Sequence, residues 1–126
     1  LRDEGASYHY VAPSRYIDMN EKALVAIEKT LKQKKIPYEE VMTWSTDGFY
    51  RETSDKISYR IEEGCSVVEM ECAALAAVAQ FRGAIWGLLL FTADSLADIE
   101  NYNQRDWGSE AFDKALELCL DIIVQM

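Results

Sequence analysis

An α/β fold with a largely parallel sheet is predicted by the order of elements along the chain. Segments rich in aromatic and β-branched residues alternate with segments that carry apolar residues at helical spacing. Such alternation is typical of βαβ units. The 126 residues are 49% hydrophobic and 28% charged, a composition that fits one globular domain over 1–126.

The first part of the chain predicts a strand, a helix and a second strand. SYHYVA (7–12) predicts a short strand that is closed by Pro13. NEKALVAIEKTLKQKK (20–35) predicts an amphipathic helix with Asp18 or Asn20 as its N-cap. YEEVMTWST (38–46) then predicts a strand, and the Asp-Gly pair of TDGFYRETSD (46–55) predicts a loop.

The second part predicts two further strands and three helices. A short helix over 54–63 ends at Gly64, and CSVVEM (65–70) follows as a strand. ECAALAAVAQFR (71–82) predicts an alanine-rich helix that ends at Gly83, and AIWGLLLFTA (84–93) predicts a strand buried on both faces. The closing segment (109–126) predicts an amphipathic helix with Ser109 as N-cap. Its predicted apolar side consists of Phe112, Leu116, Cys119, Leu120 and Ile123.

Charge and cysteine content exclude several classes of protein. Thirteen basic and twenty-two acidic residues give a net charge of −9, which repels nucleic acid and anionic membranes. The apolar run AIWGLLLF is too short to span a bilayer. The three cysteines lack metal-site spacing and lie in apolar contexts. We therefore expect a reduced, cytoplasmic protein with no metal, no nucleic-acid partner and no membrane partner.

Three acidic residues and one aromatic residue lie at the predicted ends of three strands. Glu69 and Glu71 break the apolar stretch VVEMECAALAAVA, Asp94 follows the next strand, and Phe49 follows an earlier one. Taken singly, Glu71 fits a first-turn acid, Asp94 an N-cap and Phe49 a core residue. Ligands of parallel sheets bind beyond the carboxyl ends of the strands. The common placement of these residues therefore predicts a binding site.

The sequence VEMECAALAAVAQFRG, followed by an apolar strand and an aspartate, resembles the signature of the nucleoside phosphorylase family. That family includes purine nucleoside phosphorylases and uridine phosphorylases. RDEGASYHY (2–10) is similar to a strand of the uridine branch, and STDGFY (45–50) to the base-pocket loop. The resemblance implies a three-layer αβα phosphorylase/hydrolase-like fold in a homo-oligomer. It also implies a pentosyltransferase of nucleoside catabolism and nucleotide salvage that needs no cofactor and uses inorganic phosphate as co-substrate.

The resemblance assigns the sugar and the base to separate residues of this chain. Glu69, Met70 and Glu71 are expected to bind the ribose: Glu71 accepts hydrogen bonds from its hydroxyls, and Met70 packs on the sugar. Phe49 is expected to stack against the base. Cleavage of the N-glycosidic bond builds positive charge on the sugar and negative charge on the base, so a carboxylate suits the first site.

The resemblance also implies the acid and favours a purine substrate. Asp94 is expected to protonate purine N7 with help from Arg105, and the separation between Glu71 and Asp94 agrees with the purine branch. Uridine phosphorylases recognise uracil through a glutamine and an arginine, and this chain has Thr53 and Asp55 at those positions. A uridine phosphorylase and a hydrolytic methylthioadenosine nucleosidase stay open as alternatives.

The matched region corresponds to the C-terminal half of the family. The family's phosphate site, built from a glycine and arginines, precedes that region. We therefore expect a partial fold that lacks the N-terminal phosphate-binding half, which a separate chain could supply. A further alternative of another class is a non-catalytic fragment or a split-gene subunit.

Overall fold

The computed structural model describes residues 1–91, 109 and 111–126, and its centre is a parallel sheet. Its strands are β1 (Arg2–Asp3), β2 (Met42–Thr46) and β3 (Cys65–Glu69), in the spatial order β1-β2-β3. Ser45 of β2 is in register with Arg2 on one side and with Glu69 on the other. The prediction of an α/β fold with a parallel sheet is thereby confirmed.

Four α-helices accompany the sheet: α1 (Glu21–Lys34), α2 (Ser54–Glu62), α3 (Cys72–Arg82) and α4 (Phe112–Ile123). Asn20 caps α1 by accepting a hydrogen bond of 3.0 Å from the backbone N–H of Lys22, as predicted. Gly83 ends α3 in the left-handed conformation, with φ 65°. Short 3-10 helices cover Ala6–His9 and Phe49–Arg51.

Neighbouring residues of β2 show that helices cover both faces of the sheet. The Trp44 ring lies beneath the charged ends of Lys56 and Arg60 from α2, 5.3 and 5.5 Å from its centroid. Ser45 instead accepts a hydrogen bond from Ala73 of α3. Successive strand residues point to opposite faces, so α2 and α3 lie on opposite sides. This is the three-layer arrangement that the sequence predicts.

Residues 7–12 do not form the predicted strand. The strand lies earlier, at Arg2–Asp3, and a 3-10 helix over Ala6–His9 follows it. Glu4 accepts a hydrogen bond from the backbone N–H of Ser7, and Arg2 donates one of 2.9 Å to the Ser7 hydroxyl. These local bonds stabilise a turn where aromatic content alone favours a strand.

The predicted strand over 84–93 is absent from its described part, residues 84–91. This segment runs close to α1 instead. A Cβ at Gly87 would lie 3.0 Å from the Ala23 Cβ and 2.9 Å from the Ile27 side chain, so a larger residue there would require α1 or this segment to shift. The predicted burial on both faces is wrong as well, because residues 84, 85, 90 and 91 are exposed and 86–89 are half-buried. An apolar run by itself does not distinguish a strand from irregular backbone. Residues 92 and 93 lie outside the described residues.

Helix α4 forms as predicted but buries a different side. Its N-cap is Ala111 rather than Ser109. Ala115 and Leu118 are half-buried and Ile122 is buried, whereas the predicted apolar residues are exposed: Phe112, Leu116, Cys119, Leu120 and Ile123. The helix packs against α1, to which an ion pair of 2.5 Å between Asp121 and Lys34 also joins it. Amphipathic spacing predicts the helix, but the neighbouring element decides which side is covered.

Among the residues that the structure describes, no helix is long and apolar enough to cross a membrane.

Candidate active site

The predicted ligand-binding residues lie where two neighbouring strands end. Phe49 follows β2 after a two-residue connection, and Met70 and Glu71 directly follow β3. Because β2 and β3 are parallel and adjacent, their carboxyl ends reach the same edge of the sheet. The structure thus brings the predicted base residue and the predicted ribose residues to one edge.

Glu71 presents a carboxylate that the described residues leave unpaired. It occupies the N-cap position of α3, yet its side chain makes no capping hydrogen bond. The side chain is exposed and has no hydrogen-bond or ion-pair partner within residues 1–91, 109 and 111–126. Met70 beside it is 40% exposed.

Glu69 has the opposite character, because both of its carboxylate oxygens accept hydrogen bonds from the protein. Oε1 accepts from the Ser45 hydroxyl at 2.5 Å. Oε2 accepts from the backbone N–H groups of Glu71 at 2.8 Å and Cys72 at 2.5 Å. The contact of Glu69 with the ribose stays a prediction, and the bonds seen here all lead to protein groups.

Ser45 is a site residue that the sequence analysis missed. Its side chain is buried at the end of β2, where it donates to Glu69 and accepts from the backbone N–H of Ala73 at 3.0 Å. Ser45 therefore joins β2, the end of β3 and the start of α3. No local pattern in MTWST indicates this role, which comes from the register that places Ser45 opposite Glu69.

The loop after β2 presents two aromatic rings. Phe49 is 66% exposed and packs edge-on against Tyr50, with the ring centroids 5.7 Å apart. The Thr46 hydroxyl accepts a hydrogen bond of 3.3 Å from the backbone N–H of Gly48. Asp47 accepts one of 3.0 Å from the backbone N–H of Gly5, which ties this loop to the end of β1. An exposed ring on a supported loop can receive a flat base.

Cys72, next to Glu71, does not offer a nucleophile. Burial raises the pKa of its thiol, and the neighbouring Glu69 carboxylate also raises it. The thiol is therefore protonated at neutral pH, when a nucleophilic cysteine would need to be a thiolate. Within the described part of the chain, no group of three or more histidines, cysteines or carboxylates is placed to hold a metal ion.

The predicted acid and its helper lie outside the described residues. Asp94 and Arg105 both fall in the segment 92–108, so their roles stay predictions. The described edge itself offers an open carboxylate, a thioether and an exposed ring. A carboxylate accepts hydrogen bonds from a pair of neighbouring hydroxyls, and the ring covers an apolar, planar group. Such an edge suits a sugar that carries an aromatic base.

A comparison with protein families supports the same interpretation. The model described as the phosphorylase superfamily matches residues 1–124, nearly the whole chain. No curated protein matches the chain. The family match includes both strand ends that form the candidate site, and the α/β fold with its parallel sheet is consistent with it. The chain belongs to the phosphorylase superfamily, whose members carry out nucleoside phosphorylase-type or hydrolase-type chemistry.

Proposed function

We propose that this chain binds the ribose and base of a purine nucleoside for phosphate-dependent cleavage to free base and ribose 1-phosphate. The observation that carries this proposal is the open carboxylate of Glu71 at the sheet edge that also presents the exposed ring of Phe49. Family membership supports the reaction class, and the two side chains support the nucleoside.

The sugar would be held by Glu71 and Met70. The two carboxylate oxygens of Glu71 accept hydrogen bonds from the 2′ and 3′ hydroxyls, and the Met70 side chain packs on the ring. Charge makes the carboxylate useful beyond binding, because the sugar becomes positive as the glycosidic bond breaks. Its attraction to the sugar is thus stronger in the transition state than in the bound nucleoside.

The reaction itself is a displacement at the sugar carbon. A phosphate oxygen forms a bond to C1′ while the bond from C1′ to the base nitrogen breaks, and its electron pair leaves with the base. Asp94 would donate a proton to purine N7, which leaves a neutral base, and Arg105 would assist this acid. Removing the developing negative charge makes the base a better leaving group.

Two residues favour a purine over uracil. Thr53 and Asp55 stand where uridine phosphorylases place a glutamine and an arginine. Thr53 is the N-cap residue of α2 and Asp55 lies in its first turn, and both are exposed. Neither side chain reproduces the donors that an amide and a guanidinium offer to uracil oxygens.

The first experiment measures base release from inosine, adenosine and uridine, each with and without phosphate. Purine release that requires phosphate is the expected outcome. Release without phosphate would indicate the hydrolytic alternative, and a preference for uridine would contradict the purine assignment. No release from any nucleoside would favour a non-catalytic chain or one that needs a separate phosphate-binding chain.

Replacing Glu71 with Gln tests the residue that carries the proposal. We expect about 10- to 100-fold lower turnover, the range for losing a hydrogen bond to a charged group. Stability should change little because the side chain is exposed. Glu117→Gln, an exposed glutamate of α4, is the matched control and should keep full turnover. Equal turnover of the Glu71→Gln and wild-type proteins would remove Glu71 from the site.

We also propose that the chain assembles with further copies of itself, as the resemblance implies. Sedimentation should then give a multiple of the 14.4 kDa chain mass. A species that stays monomeric at all concentrations tested would contradict this proposal.

A further inference from the structure

The first turn of α3 is capped by side chains from two different strands. The first N–H groups of a helix have no partner within the helix and must be satisfied from outside. Here Glu69 accepts from the N–H groups of Glu71 and Cys72, and Ser45 accepts from that of Ala73. Ser45 also donates to Glu69, so the two caps form one connected unit.

This unit takes over part of the capping that Glu71 would otherwise provide. A residue at the N-cap position usually turns its own side chain back onto the second or third N–H of the helix. The second N–H, that of Ala73, is already bonded to Ser45, and the N–H of Cys72 before it is bonded to Glu69. The backbone N–H of Glu71 is itself held at 2.8 Å by Glu69. The position of the Glu71 main chain is thus set by its neighbours.

The connected caps Ser45 and Glu69 also fix the spacing between the base residue Phe49 and the ribose residue Glu71, the two halves of the candidate site. Ser45 lies on β2, four residues before Phe49, whereas Glu69 and Glu71 belong to the end of β3. Ser45 is 1% exposed, so its hydroxyl is held within the core and has little freedom to move. A bond from this hydroxyl to Glu69 connects the strand that leads to the base residue with the strand that leads to the ribose residue.

We infer that Ser45 and Glu69 are positioning residues that hold Glu71 at the distance from Phe49 that a nucleoside requires, an inference that rests on the proposed function. Neither residue needs to touch the sugar for this role. Oε1 and Oε2 of Glu69 together accept three hydrogen bonds, and a carboxylate has about four acceptor sites. Ligands that span both halves depend on this spacing, whereas ligands that bind one half do not.

The test compares a nucleoside with its free base in the Ser45→Ala protein. We expect adenosine affinity to fall about tenfold, which corresponds to about 1.4 kcal/mol, while adenine affinity stays within about twofold. Thr46→Val is the matched control, because Thr46 is the next residue and is also 1% exposed, and among the described residues its hydroxyl bonds to the base loop through Gly48. That variant should weaken adenine and adenosine by similar factors.

Glu69→Gln separates positioning from direct ribose binding. A glutamine keeps an oxygen for the two N–H groups and an amide N–H₂ that can bond to the Ser45 oxygen. We therefore expect this variant to retain most of the adenosine affinity that Ser45→Ala loses. A loss as large as that of Glu71→Gln would show that Glu69 binds the ribose directly, and it would overturn the inference.

Amide hydrogen exchange provides a readout that needs no ligand. Loss of the cap should speed exchange at residues 71–73 in the Ser45→Ala protein and leave the last turns of α3 unchanged. Unchanged exchange at 71–73 would overturn the inference, as would adenine and adenosine affinities that fall equally.

If the wild-type protein binds adenine but not adenosine, the proposed ribose-binding role of Glu71 and the inference both fail. If it binds neither while exchange responds as expected, the proposed function fails and the cap remains a structural feature without a ligand role.

Discussion

Single residues at the sheet edge differ in whether they serve the fold or a ligand, and Phe49 is the clearest example. A phenylalanine that is 66% exposed contributes little buried area, so the fold gains little from it. We expect Phe49→Ala to change the free energy of unfolding by less than about 0.5 kcal/mol. Adenine affinity should fall about tenfold, because stacking on an aromatic ring contributes about 1–3 kcal/mol per base.

The matched control for Phe49 is Phe81, a phenylalanine of α3 that is 59% exposed. Its ring contacts Tyr10 and lies at the opposite end of α3 from Glu71. Phe81→Ala should leave adenine affinity unchanged. Calorimetric titration of both variants measures the difference, and equal affinities for adenine would show that Phe49 is not the base residue.

Residue types indicated part of the candidate site and missed the rest for a physical reason. Glu71 and Phe49 could be proposed because a charge in an apolar run and an aromatic after a strand are visible in sequence. Ser45 was not, because its importance comes from the register of β2 with β3, which places it opposite Glu69. The distinct roles of Glu69 and Glu71 were hidden for the same reason, since only hydrogen-bond partners separate them.

At the scale of elements, local patterns predicted most helices and strands but not which faces are covered. Helices α1, α2 and α3 and strands β2 and β3 agree with prediction, because caps, glycines and apolar spacing are local signals. Residues 7–12 differ because hydrogen bonds to Ser7 favour a turn, and residues 84–91 differ because they approach α1, which is distant in sequence. Helix α4 differs in its N-cap and in the side it buries, and the latter depends on its packing against α1.

Two neighbouring positions on α4 test that orientation. Ile122 is 4% exposed and Leu120 is 57% exposed, although both are aliphatic and two residues apart. We expect Ile122→Ala to lower the free energy of unfolding by about 2–5 kcal/mol, the range for a buried aliphatic truncation. Leu120→Ala should change it by less than about 0.5 kcal/mol. Urea denaturation of both variants measures this, and a larger cost for Leu120→Ala would show that α4 buries the side predicted from its sequence.

At the scale of the whole molecule, a charged cluster joins β1 to α2. Oδ2 of Asp3 accepts hydrogen bonds from Arg60 at 2.9 Å and from the indole N–H of Trp44 at 3.0 Å. The same oxygen forms an ion pair with Lys56 at 3.0 Å. Glu63 extends this cluster to Arg15, which binds it through two nitrogens at 2.6 and 2.9 Å. Elements that are distant in sequence are therefore held together by groups whose charge depends on pH.

The pH dependence of stability follows from the direction of the Asp3 shift. Burial alone would raise the pKa of Asp3, but hydrogen bonds from Arg60, Lys56 and Trp44 outweigh it and hold the pKa below 3.8. A carboxyl whose pKa is lower in the folded state stabilises the fold above its unfolded pKa. That stabilisation is lost as the pH falls through the ordinary range of an aspartate pKa and then through the lower pKa of folded Asp3.

Replacing Asp3 with Asn should remove this pH dependence together with the stabilisation. We expect the free energy of unfolding at neutral pH to fall by about 1–3 kcal/mol, because hydrogen bonds to a charged group are lost. Acidification from about pH 6 to about pH 3 should then cost Asp3→Asn less stability than the wild type. Urea denaturation across this range measures both effects.

The exposed pair of Glu28 and Lys32 provides the control, since solvent screens its interaction. Glu28→Gln should therefore keep the acid sensitivity of the wild type. If Asp3→Asn and wild-type proteins lost equal stability on acidification, the carboxylates responsible would lie outside this cluster. The link between β1 and α2 would then rest on the apolar contacts of Trp44 rather than on its charged neighbours.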